Sequence, residues 1–511
     1  MTQESISFVE SEIFKEDTQE HSRVSSIPRK LKNKHLMERF LRESNSIKSL
    51  LIWLENANHT LDSYERESVL TILRNAINDI DKQLKNQINA VIHHKEFQTL
   101  EASWRGMFYL IEQKEKNDKN QKVKIKVLDC CWSTLSKDIA KAIEFDQSEF
   151  FKLVYNNEYD MSGGEPFGVL IGDYYISHQN KAGKPTNDID TLKGISQAAA
   201  SAFAPFITSV EPSFFGADEF SDLASSFDFT QTFKQAEYIR WNSLREMEDS
   251  RFIGLTLPNI LMRSPYKNDG SRSESFKFVE QIKDPKKDHL WGNAAFAFGS
   301  VLIRSYTESG WFGQIRGMQP GKKTKGLVCD LPVCEYETDL YRGRSKPSIN
   351  FLVGDKSEKE LSDNGFISLS AAPGSEHLVF YSNASAQKPQ DYDSLTASVN
   401  AKLSSMLQYI LCVSRFAHYI KVLGREKIGT FHSAEKCERE LQQWLHQYTA
   451  ASDTASDEVR SKYPLQSAQV QVKEMRGKPG HYYSSIQLQP YFQLDQMISS
   501  IKLVTELTSR S

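Results

Sequence analysis

The stretch Gly163–Tyr174, "GGEPFGVLIGDY", places a cluster of glycines in front of an apolar run, as nucleotide-binding loops and tight turns both do. A phosphate-binding P-loop needs G-x-x-x-x-G-K-[ST], because its lysine meets the phosphates and its hydroxyl meets the metal ion. Gly163 and Gly168 have that separation, but Val169 and Leu170 stand where the lysine and the hydroxyl residue should be. The stretch therefore lacks the side chains of a P-loop.

The backbone of the same stretch also favours a turn. Pro166 has no N–H to donate to a phosphate. The glycines precede a strand-like run, whereas anion sites use the N-terminus of a helix. We predict a structural turn into a buried strand, and no bound cofactor. The residues of this turn are Gly163, Gly164, Pro166 and Gly168.

Strand-like and helix-like segments alternate on both sides of this turn. The predicted strands are "VKIKVLDCCW" (123–132), "FGVLIGDYYI" (167–176), "PFITSV" (205–210), "SINFLVG" (348–354) and "EHLVFYS" (376–382). The predicted helices are 138–159, 190–203, 233–250 and 289–310. Such alternation indicates an α/β (mixed α+β) fold class, with one mixed sheet and helices packed against it.

The segments before residue 120 have a helical period. From Ser44 to Gln113, apolar residues recur at spacings of three and four, which places one apolar stripe on long helices. The residues before Ser44 lack this periodicity. The predicted organisation is a mobile arm (1–43), a helical N-terminal region (44–120), a central α/β region (121–390) and a C-terminal region (391–511).

The C-terminal region combines helices with a hairpin pattern. One long helix is predicted over 394–427 and another over 433–451. The segments Ala468–Met475 and Tyr482–Gln489 then alternate apolar residues with glutamine around a Gly-Lys-Pro-Gly turn, which predicts an antiparallel hairpin. The last apolar segment, from about Met497 to Leu507, reads as a strand with no evident mate in the chain.

Composition excludes several classes of function. The 511 residues carry a formal net charge of −3, which gives no electrostatic reason to bind nucleic acid or anionic lipid. No apolar run approaches the length of a membrane span, and the polar N-terminus resembles no secretory signal. We expect a cytoplasmic protein.

Catalytic and metal-binding motifs are missing from the sequence. It contains no G-x-S-x-G elbow, no H-E-x-x-H pair and no C-x-x-C pair. The charged string Arg245–Arg251, "REMEDSR", interleaves both signs and fits an ion-pair network better than a general acid–base pair. We predict no catalytic residue, no metal site and no enzymatic activity.

Arginine and aromatic residues occur together in short strings, a composition that favours protein interfaces. These strings, with others, resemble the large sheath subunit of bacterial type VI secretion systems (the TssC/VipB/IglB family), in order from about Leu100 to the C-terminus. The matching motifs are "LEASWRGMFYL", "GGEPFGVLIGDY", "LKGISQAAASAFAPFI", "WNSLREMEDSRFIGLTLP", "LWGNAAFAF", "GWFGQIRG", "SRFAHYIKVLGREKIGTF", "GKPGHYY" and "PYFQLDQM". Departures are local: Asn259 stands where the family pattern has Arg, and "GDKSEKEL" (354–361) is a looser version of a charged segment.

The resemblance implies a structural protein. Such subunits pair one-to-one with a small sheath subunit (TssB/VipA/IglA), here through the helical region 44–120. The heterodimers stack as six-fold helical rings on the baseplate around an inner tube of Hcp. Contraction propels the tube and its spike out of the cell for effector delivery, and in many systems a ClpV-type AAA+ ATPase then disassembles the sheath.

The resemblance also assigns roles to C-terminal residues. The hairpin is expected to pair with strands of neighbouring subunits in a shared "handshake" sheet, since an open strand edge invites β-augmentation. The handshake residues are Val470, Val472, Ile486 and Leu488, and those of the donated strand are Ile498, Ile501, Leu503 and Val504. The helix before the hairpin is expected to face the tube with exposed Glu435, Glu438, Arg439 and Glu440, although a solvated charged face fits these residues as well.

Two other interpretations stay open at the level of sequence. The chain could be the sheath of another contractile particle, such as a phage tail or tailocin, whose sheaths are usually made of a single chain. It could also be an α/β hydrolase-like enzyme whose catalytic dyad forms only in three dimensions; a deep apolar pocket would favour that alternative.

Overall fold

The computed structural model describes residues 37–56, 66–161, 163–179, 187–223, 227–268, 270, 276–319, 324–335, 345–373, 375, 377–426, 433–450, 456–474 and 482–491. The chain forms two compact units, Met1–Leu84 and Lys85–Ser511. Most of the predicted N-terminal arm lies outside the described residues, although 37–42 are helical.

The first unit is helical where it is described. Helix α1 spans Ser46–Asn56 and helix α2, Arg66–Ile92, begins in this unit. The side chain of Asn45 accepts hydrogen bonds from the N–H groups of Ile47 and Lys48, which satisfies donors that a helix N-terminus leaves free. The predicted helical region is therefore confirmed as helix.

The second unit contains the other helices of the described chain. They are α3 (Lys95–Asn117), α4 (Trp132–Lys141), α5 (Asp188–Ala202), α6 (Ile239–Glu246), α7 (Ala294–Ser309), α8 (Asp355–Asp363), α9 (Leu395–Ser404), α10 (Leu407–Glu426), α11 (Ala434–His446) and α12 (Asp457–Lys462). Shorter helical turns include Glu149–Phe151, which continues as a π-helix over Lys152–Asp160.

The strands form one main sheet and three small ones. They are β1 (Leu170–Ile176), β2 (Phe206–Val210), β3 (Ile253–Leu257), β4 (Ile260–Arg263), β5 (Leu290–Gly292), β6 (Leu327–Val328), β7 (Cys334–Glu335), β8 (Ser345–Lys346), β9 (Phe366–Ala371), β10 (Leu378–Phe380), β11 (Leu465–Glu474) and β12 (Tyr482–Pro490). The six-stranded sheet has the order β1-β2-β3-β9-β10-β6, and the pairs β4–β5, β7–β8 and β11–β12 stand apart.

The main sheet is mixed, as the sequence predicts. Strands β1, β2, β3 and β9 pair in parallel, and β10 and β6 extend the sheet antiparallel. Every residue of β2 and β3 is buried, because helices cover both faces. One core holds the side chains of α5 and Trp241, and the opposite core holds those of α7, including Phe298.

Asn293 shows how sequence fixes the position of α7 on this sheet. Its side-chain oxygen accepts from the N–H of Ala295 and so caps the helix. The same amide accepts from Ser209 on β2 at 2.7 Å and donates to the carbonyl of Tyr174 on β1 at 3.0 Å. One buried side chain thus ties the start of α7 to two strands.

Two predicted strands are wrong. The segment "VKIKVLDCCW" runs without a turn or bend up to Cys131 but forms no ladder with any strand of the described chain, and its final Trp132 begins α4. The segment "SINFLVG" makes only an isolated bridge, between Ile349 and Ile260. An alternating pattern favours extended backbone, but a β-ladder also requires an adjacent strand at hydrogen-bonding distance.

Two predicted helices are interrupted. The helix over 138–159 breaks between Lys141 and Phe145, where the chain turns before the π-helix. The long helix over 394–427 divides into α9 and α10, because Met406 forms a β-bridge with Ala384. Tertiary contacts override the local helical pattern at these two places. Two other predicted helices are shortened: only Ile239–Glu246 of the helix over 233–250 is α-helical, and the helix over 289–310 begins at Ala294, after strand β5.

Candidate functional site

The C-terminal hairpin is an independent two-stranded sheet, separate from the six-stranded one. Strands β11 and β12 pair antiparallel, with Val470 opposite Ile486 and Ala468 opposite Leu488. Their bounds agree with the predicted hairpin to within three residues at each end. The predicted antiparallel hairpin is therefore confirmed as an element of the fold.

One face of the hairpin is apolar and packs on helices. Val470 is buried there, with Val472, Ile486 and Leu488 partly buried beside it. The other face carries the exposed residues Gln469, Gln471 and Gln487. The apolar face covers a small core of its own, whose buried members are Trp311, Cys412, Phe416, Leu445, Leu465 and Val470. The hairpin is thus held on the second unit by one face, as period-two alternation requires.

The outer edge of β11 is closed by side chains of helix α11. The amide of Gln442 accepts from the N–H of Val470 at 2.9 Å and donates to the carbonyl of Ala468 at 2.8 Å. The carboxylate of Glu438 accepts from the N–H of Val472 at 2.9 Å. These side chains bond to β11 where an added strand would bond.

The outer edge of β12 is open. Because Val470 and Val472 direct their N–H groups away from the partner strand, the residues opposite them, Ile486 and Ser484, direct theirs to the other outer edge. Leu488 has the same orientation. Within the described residues nothing bonds to the backbone of these three positions. The hairpin therefore presents one free edge.

The charged residues of α11 are less exposed than predicted. Glu435 and Arg439 are exposed, but Glu438 and Glu440 are half-buried. Glu438 turns inward because its carboxylate meets the otherwise unpaired N–H of Val472. The prediction of four exposed residues is wrong for these two, since a sequence does not show that a strand edge lies beside the helix.

The remaining predicted residues belong to the donated strand and to the glycine turn. The donated strand, with Ile498, Ile501, Leu503 and Val504, lies outside the described residues. The glycine cluster lies before β1, where Gly163 has a φ of +84° and a side chain on Gly164 would collide with the backbone of Glu158. The carboxylate of Glu158 accepts from the N–H of Glu165 at 2.7 Å and holds the segment in place.

Helix α3 carries an apolar stripe that sequence periodicity alone assigns to the core. One side of the helix packs on α7, where Gly106 lies against the ring of Phe296. The opposite side exposes large apolar residues, Phe97, Leu100, Trp104, Phe108 and Ile111. Trp104 is 62% exposed and Phe108 is 60% exposed. The string "SWRGMFYL" signals this surface through its arginine and aromatic residues.

Helix α2 carries a second exposed stripe. Its exposed apolar residues are Leu70, Ile77, Ile80, Leu84 and Val91. Four of them follow one another at intervals of seven residues, the repeat of a coiled-coil seam. A continuous apolar seam is unfavourable on a helix that faces only solvent. Both stripes therefore indicate surfaces that a partner covers.

A cleft of about 500 Å³ lies between the second unit's body and the base of the hairpin, and most of its lining is polar or charged. Its thiol, Cys412, is inert because burial raises its pKa to about 12. No histidine is among the described residues that line it, and no group of side chains in the described chain is arranged to hold a metal ion.

The predicted ion-pair network around Arg245 is only partly present. Burial lowers the pKa of Arg245 to about 10, and its guanidinium donates to the carbonyls of Asp363 and Ala386. Arg251 pairs with Glu248 at 3.7 Å. The string thus anchors α6 to the end of α8 and to Ala386 through Arg245, while Arg251 makes a local pair.

Comparison with known proteins identifies the chain's relatives. The family model described as VipB, EvpB/VC_A0108, tail sheath N-terminal domain, matches residues 74–387. The model described as the tail sheath gpW/gp25-like domain of the same family matches residues 396–507. The type VI secretion system sheath protein TssC1 of Pseudomonas aeruginosa PAO1 is 36% identical over 468 residues, which cover 89% of this chain and 91% of that protein.

Solved structures give a weaker likeness. The anti-feeding prophage baseplate structure covers 76% of this chain and 84% of its own, at 8% identity and a TM-score of 0.36. The contracted sheath of the PVC extracellular contractile injection system covers 62% and 68%, at 10% identity and a TM-score of 0.34. At these scores neither adds to the assignment.

No helix of the described chain is both long enough and apolar enough to cross a membrane. The sequence relationship spans nearly the whole chain, and the structure adds a hairpin with one free edge and two exposed apolar stripes. The chain belongs to the VipB family of contractile tail-sheath proteins and is a structural large sheath subunit of the type VI secretion type.

Proposed function

We propose that this subunit is linked into its polymer through the free edge of β12. A strand from a neighbouring subunit adds to that edge, and its main-chain hydrogen bonds to Ser484, Ile486 and Leu488 connect the two subunits. The asymmetry of the hairpin carries this proposal, because Gln442 and Glu438 already occupy the edge of β11.

The donor in this proposal is the C-terminal segment from about Met497 to Leu507, with Ile498, Ile501, Leu503 and Val504. Ile501 and Leu503 alternate with Lys502, which suits a strand whose one face meets a neighbour. Deleting the residues after Gln496 should leave a soluble pair with the small sheath subunit but abolish sheaths. Electron microscopy of the co-expressed proteins tests this, and intact tubes would refute it.

A proline at the free edge gives a sharper test. Ser484→Pro removes an N–H that points outward, so the hairpin ladder keeps its hydrogen bonds while the added strand loses one. We expect the pair to remain and the sheaths to become rare. Ser484→Ala, which keeps the N–H, is the matched control and should assemble normally.

The exposed stripes are the proposed surface for the small sheath subunit. They lie within region 44–120, on α2 and α3, and their large apolar side chains are the kind that a stable partner buries. A coiled-coil seam on α2 suits a helix of that partner. Co-purification of the two subunits tests the pairing, and loss of the pair on truncation before Lys95 would support this location.

The exposed charges of α11 are the proposed contact with the inner Hcp tube. Glu435 and Arg439 are solvent-exposed on the same helix that supports the hairpin. The double reversal Glu435→Lys with Arg439→Glu should preserve the pair but weaken sheath assembly on tubes. Unchanged assembly on tubes would instead favour a simply solvated face.

Contraction in this proposal needs no nucleotide. Strain stored when subunits assemble on the baseplate is released as interfaces switch between two packings, and the strand links survive the switch. The subunit acts as a structural, non-catalytic part in the bacterial cytoplasm. Purified extended sheath should contract without ATP, and a strict nucleotide requirement would contradict the proposal.

A further inference from the structure

Segment 122–131, between α3 and α4, contains no helix, turn or bend and pairs with no strand of the described chain. Val123 and Ile125 pack into the α7 core, while Lys124 and Lys126 between and after them are exposed. Within the described chain, nothing bonds to the backbone N–H or C=O groups of residues 124–129. A peptide backbone left in this state is an acceptor for another strand.

Strand β1 offers a second free edge close by, since it is the outermost strand of the six-stranded sheet. The N–H of Leu170 and the C=O of Ile176 bond to residues that flank β2. Backbone direction alternates along a strand, so Ile171 and Tyr175 direct their groups to the outer edge. No described residue bonds to the backbone of those two positions.

Side chains, and not a ladder, join segment 122–131 to the region of β1. Lys124 pairs with Glu165, and the hydroxyl of Tyr174 donates to the carbonyl of Cys130 at 2.7 Å. Lys124 precedes Cys130 in the first segment, and their partners Glu165 and Tyr174 follow the same order, so the two segments run in the same direction. At Cys130 the two backbones are separated by the length of the Tyr174 side chain. This distance is greater than the ~4.8 Å between paired strands.

Exposed apolar groups flank the same place. Val127 is 69% exposed and Leu128 is 57% exposed on the segment itself. Helix α3 lies beside β1, because Ser103 donates to Asp173 at 2.5 Å, and the next residue is the exposed Trp104. Apolar side chains that border an unpaired strand edge are typical of a surface covered by a partner.

We propose that a β-strand of the small sheath subunit adds at this site, pairs with segment 122–131 and the edge of β1, and extends the main sheet across the subunit boundary. This inference rests on the proposed pairing of the chain with that subunit. A strand fits better than a helix because the unsatisfied groups are consecutive backbone N–H and C=O groups. Lys124 and Lys126 already pair with Glu165 and Glu158, and the site is continuous with the exposed stripe of α3, the proposed surface for that subunit.

Amide hydrogen exchange on the purified pair tests the strand directly. Alternate residues within 124–129, those whose N–H groups face the added strand, should exchange about 100-fold more slowly than in an unstructured peptide of the same sequence. Unprotected amides in an intact pair would overturn this inference while leaving the pairing itself standing. Failure to isolate any pair would count against the proposed function as well, so the two failures are distinguishable.

A substitution tests the apolar border. Val127→Asp with Leu128→Asp should weaken the affinity for the small sheath subunit at least tenfold, because both side chains would be buried by the added strand. Leu352→Asp is the control, since Leu352 is 59% exposed and lies in another part of the second unit. Circular dichroism should show all variants folded. Equal affinity for the double variant and the control would contradict the proposal.

Discussion

Gln442 bonds to Val470 as a neighbouring strand would, with its side-chain oxygen 2.9 Å from the backbone nitrogen. The nitrogen of the same amide lies 2.8 Å from the carbonyl of Ala468, so a single side chain reproduces one peptide group of an added strand. Strand edges in soluble proteins need such protection against unwanted pairing. Helix α11 supplies it to β11 and leaves β12 free.

Removing this protection should both destabilise the hairpin and make it associate wrongly. For Gln442→Ala with Glu438→Ala we expect a loss of about 1–3 kcal/mol per unsatisfied backbone group in the free energy of unfolding, because these groups are partly buried. We also expect more aggregation. Urea unfolding and light scattering of the purified pair measure the two effects.

The control for this prediction is Gln443→Ala, on the same helix but exposed to solvent. Its unfolding free energy should change by less than about 0.5 kcal/mol. Equal behaviour of the two variants would mean that the contacts of Gln442 and Glu438 contribute nothing to stability.

Trp104 is expected to be an energetic centre of the proposed interface with the small sheath subunit. Its ring is 62% exposed in this chain, so Trp104→Ala should leave the fold intact. Buried interface tryptophans typically contribute about 2 kcal/mol or more, which corresponds to a roughly 30-fold weaker affinity. Titration of the two subunits measures it, and Trp104→Phe should retain most of the affinity.

A buried ion-pair cluster should dominate the acid stability of the second unit. Arg263 pairs with Glu280 and with Glu101, and the side chain of Glu280 is 1% exposed. Arg263→Ala removes the buried cation from both carboxylates and leaves them the more exposed partners His93 and Arg105, so we expect a loss of about 3 kcal/mol in the free energy of unfolding. Breaking the exposed pair of Arg240 and Asp190 by Arg240→Ala is the control, with an expected loss below about 1 kcal/mol.

The same cluster sets a direction for pH dependence. Burial alone would raise the pKa of Glu280, but hydrogen bonds from Arg263 and the N–H of Tyr266 outweigh it and hold that pKa below its ordinary value. Its contribution to stability is therefore present above the unfolded pKa of about 4.3 and is lost as pH falls through the folded pKa. In Arg263→Ala the acid-induced loss should begin at higher pH.

His418 should add a separate loss of stability at mildly acidic pH. Burial lowers its pKa to about 4, aided by Arg415 and Lys421, and its ring nitrogen lies 3.0 Å from the carbonyl oxygen of Ala202. The unfolded chain binds this proton first, so stability should fall by up to about 3 kcal/mol between pH 6.5 and 4. His418→Gln should flatten that part of the profile, and His94→Gln, at an exposed position, should not.

The hairpin was predictable because all of its local signals agree. Alternation with a period of two flanks a turn, and β11 and β12 follow that pattern. The break between α9 and α10 was not, since Met406 leaves the helix to bridge Ala384, which is distant in sequence. Segment 122–131 illustrates a third case, in which the pattern of a strand is present but its ladder is not.

The two residues that close β11, Glu438 and Gln442, show that the exposure of polar residues on a helix cannot be predicted from their position on that helix alone. Glu438 lies on a helix face that sequence alone interprets as solvated, and its hydrogen bond depends on a strand more than thirty residues later. Position on the helix does not reveal this contact. The exposed stripes of α2 and α3 have the opposite problem, because periodicity marks them as apolar without saying whether this chain or another one covers them.

Because the hairpin has one free edge, it can accept one added strand. In the proposed polymer, each subunit therefore accepts one strand from one neighbour at β12, and the strand links between subunits do not branch. A helical sheath linked in this way would keep the same connections between subunits in its extended and its contracted form.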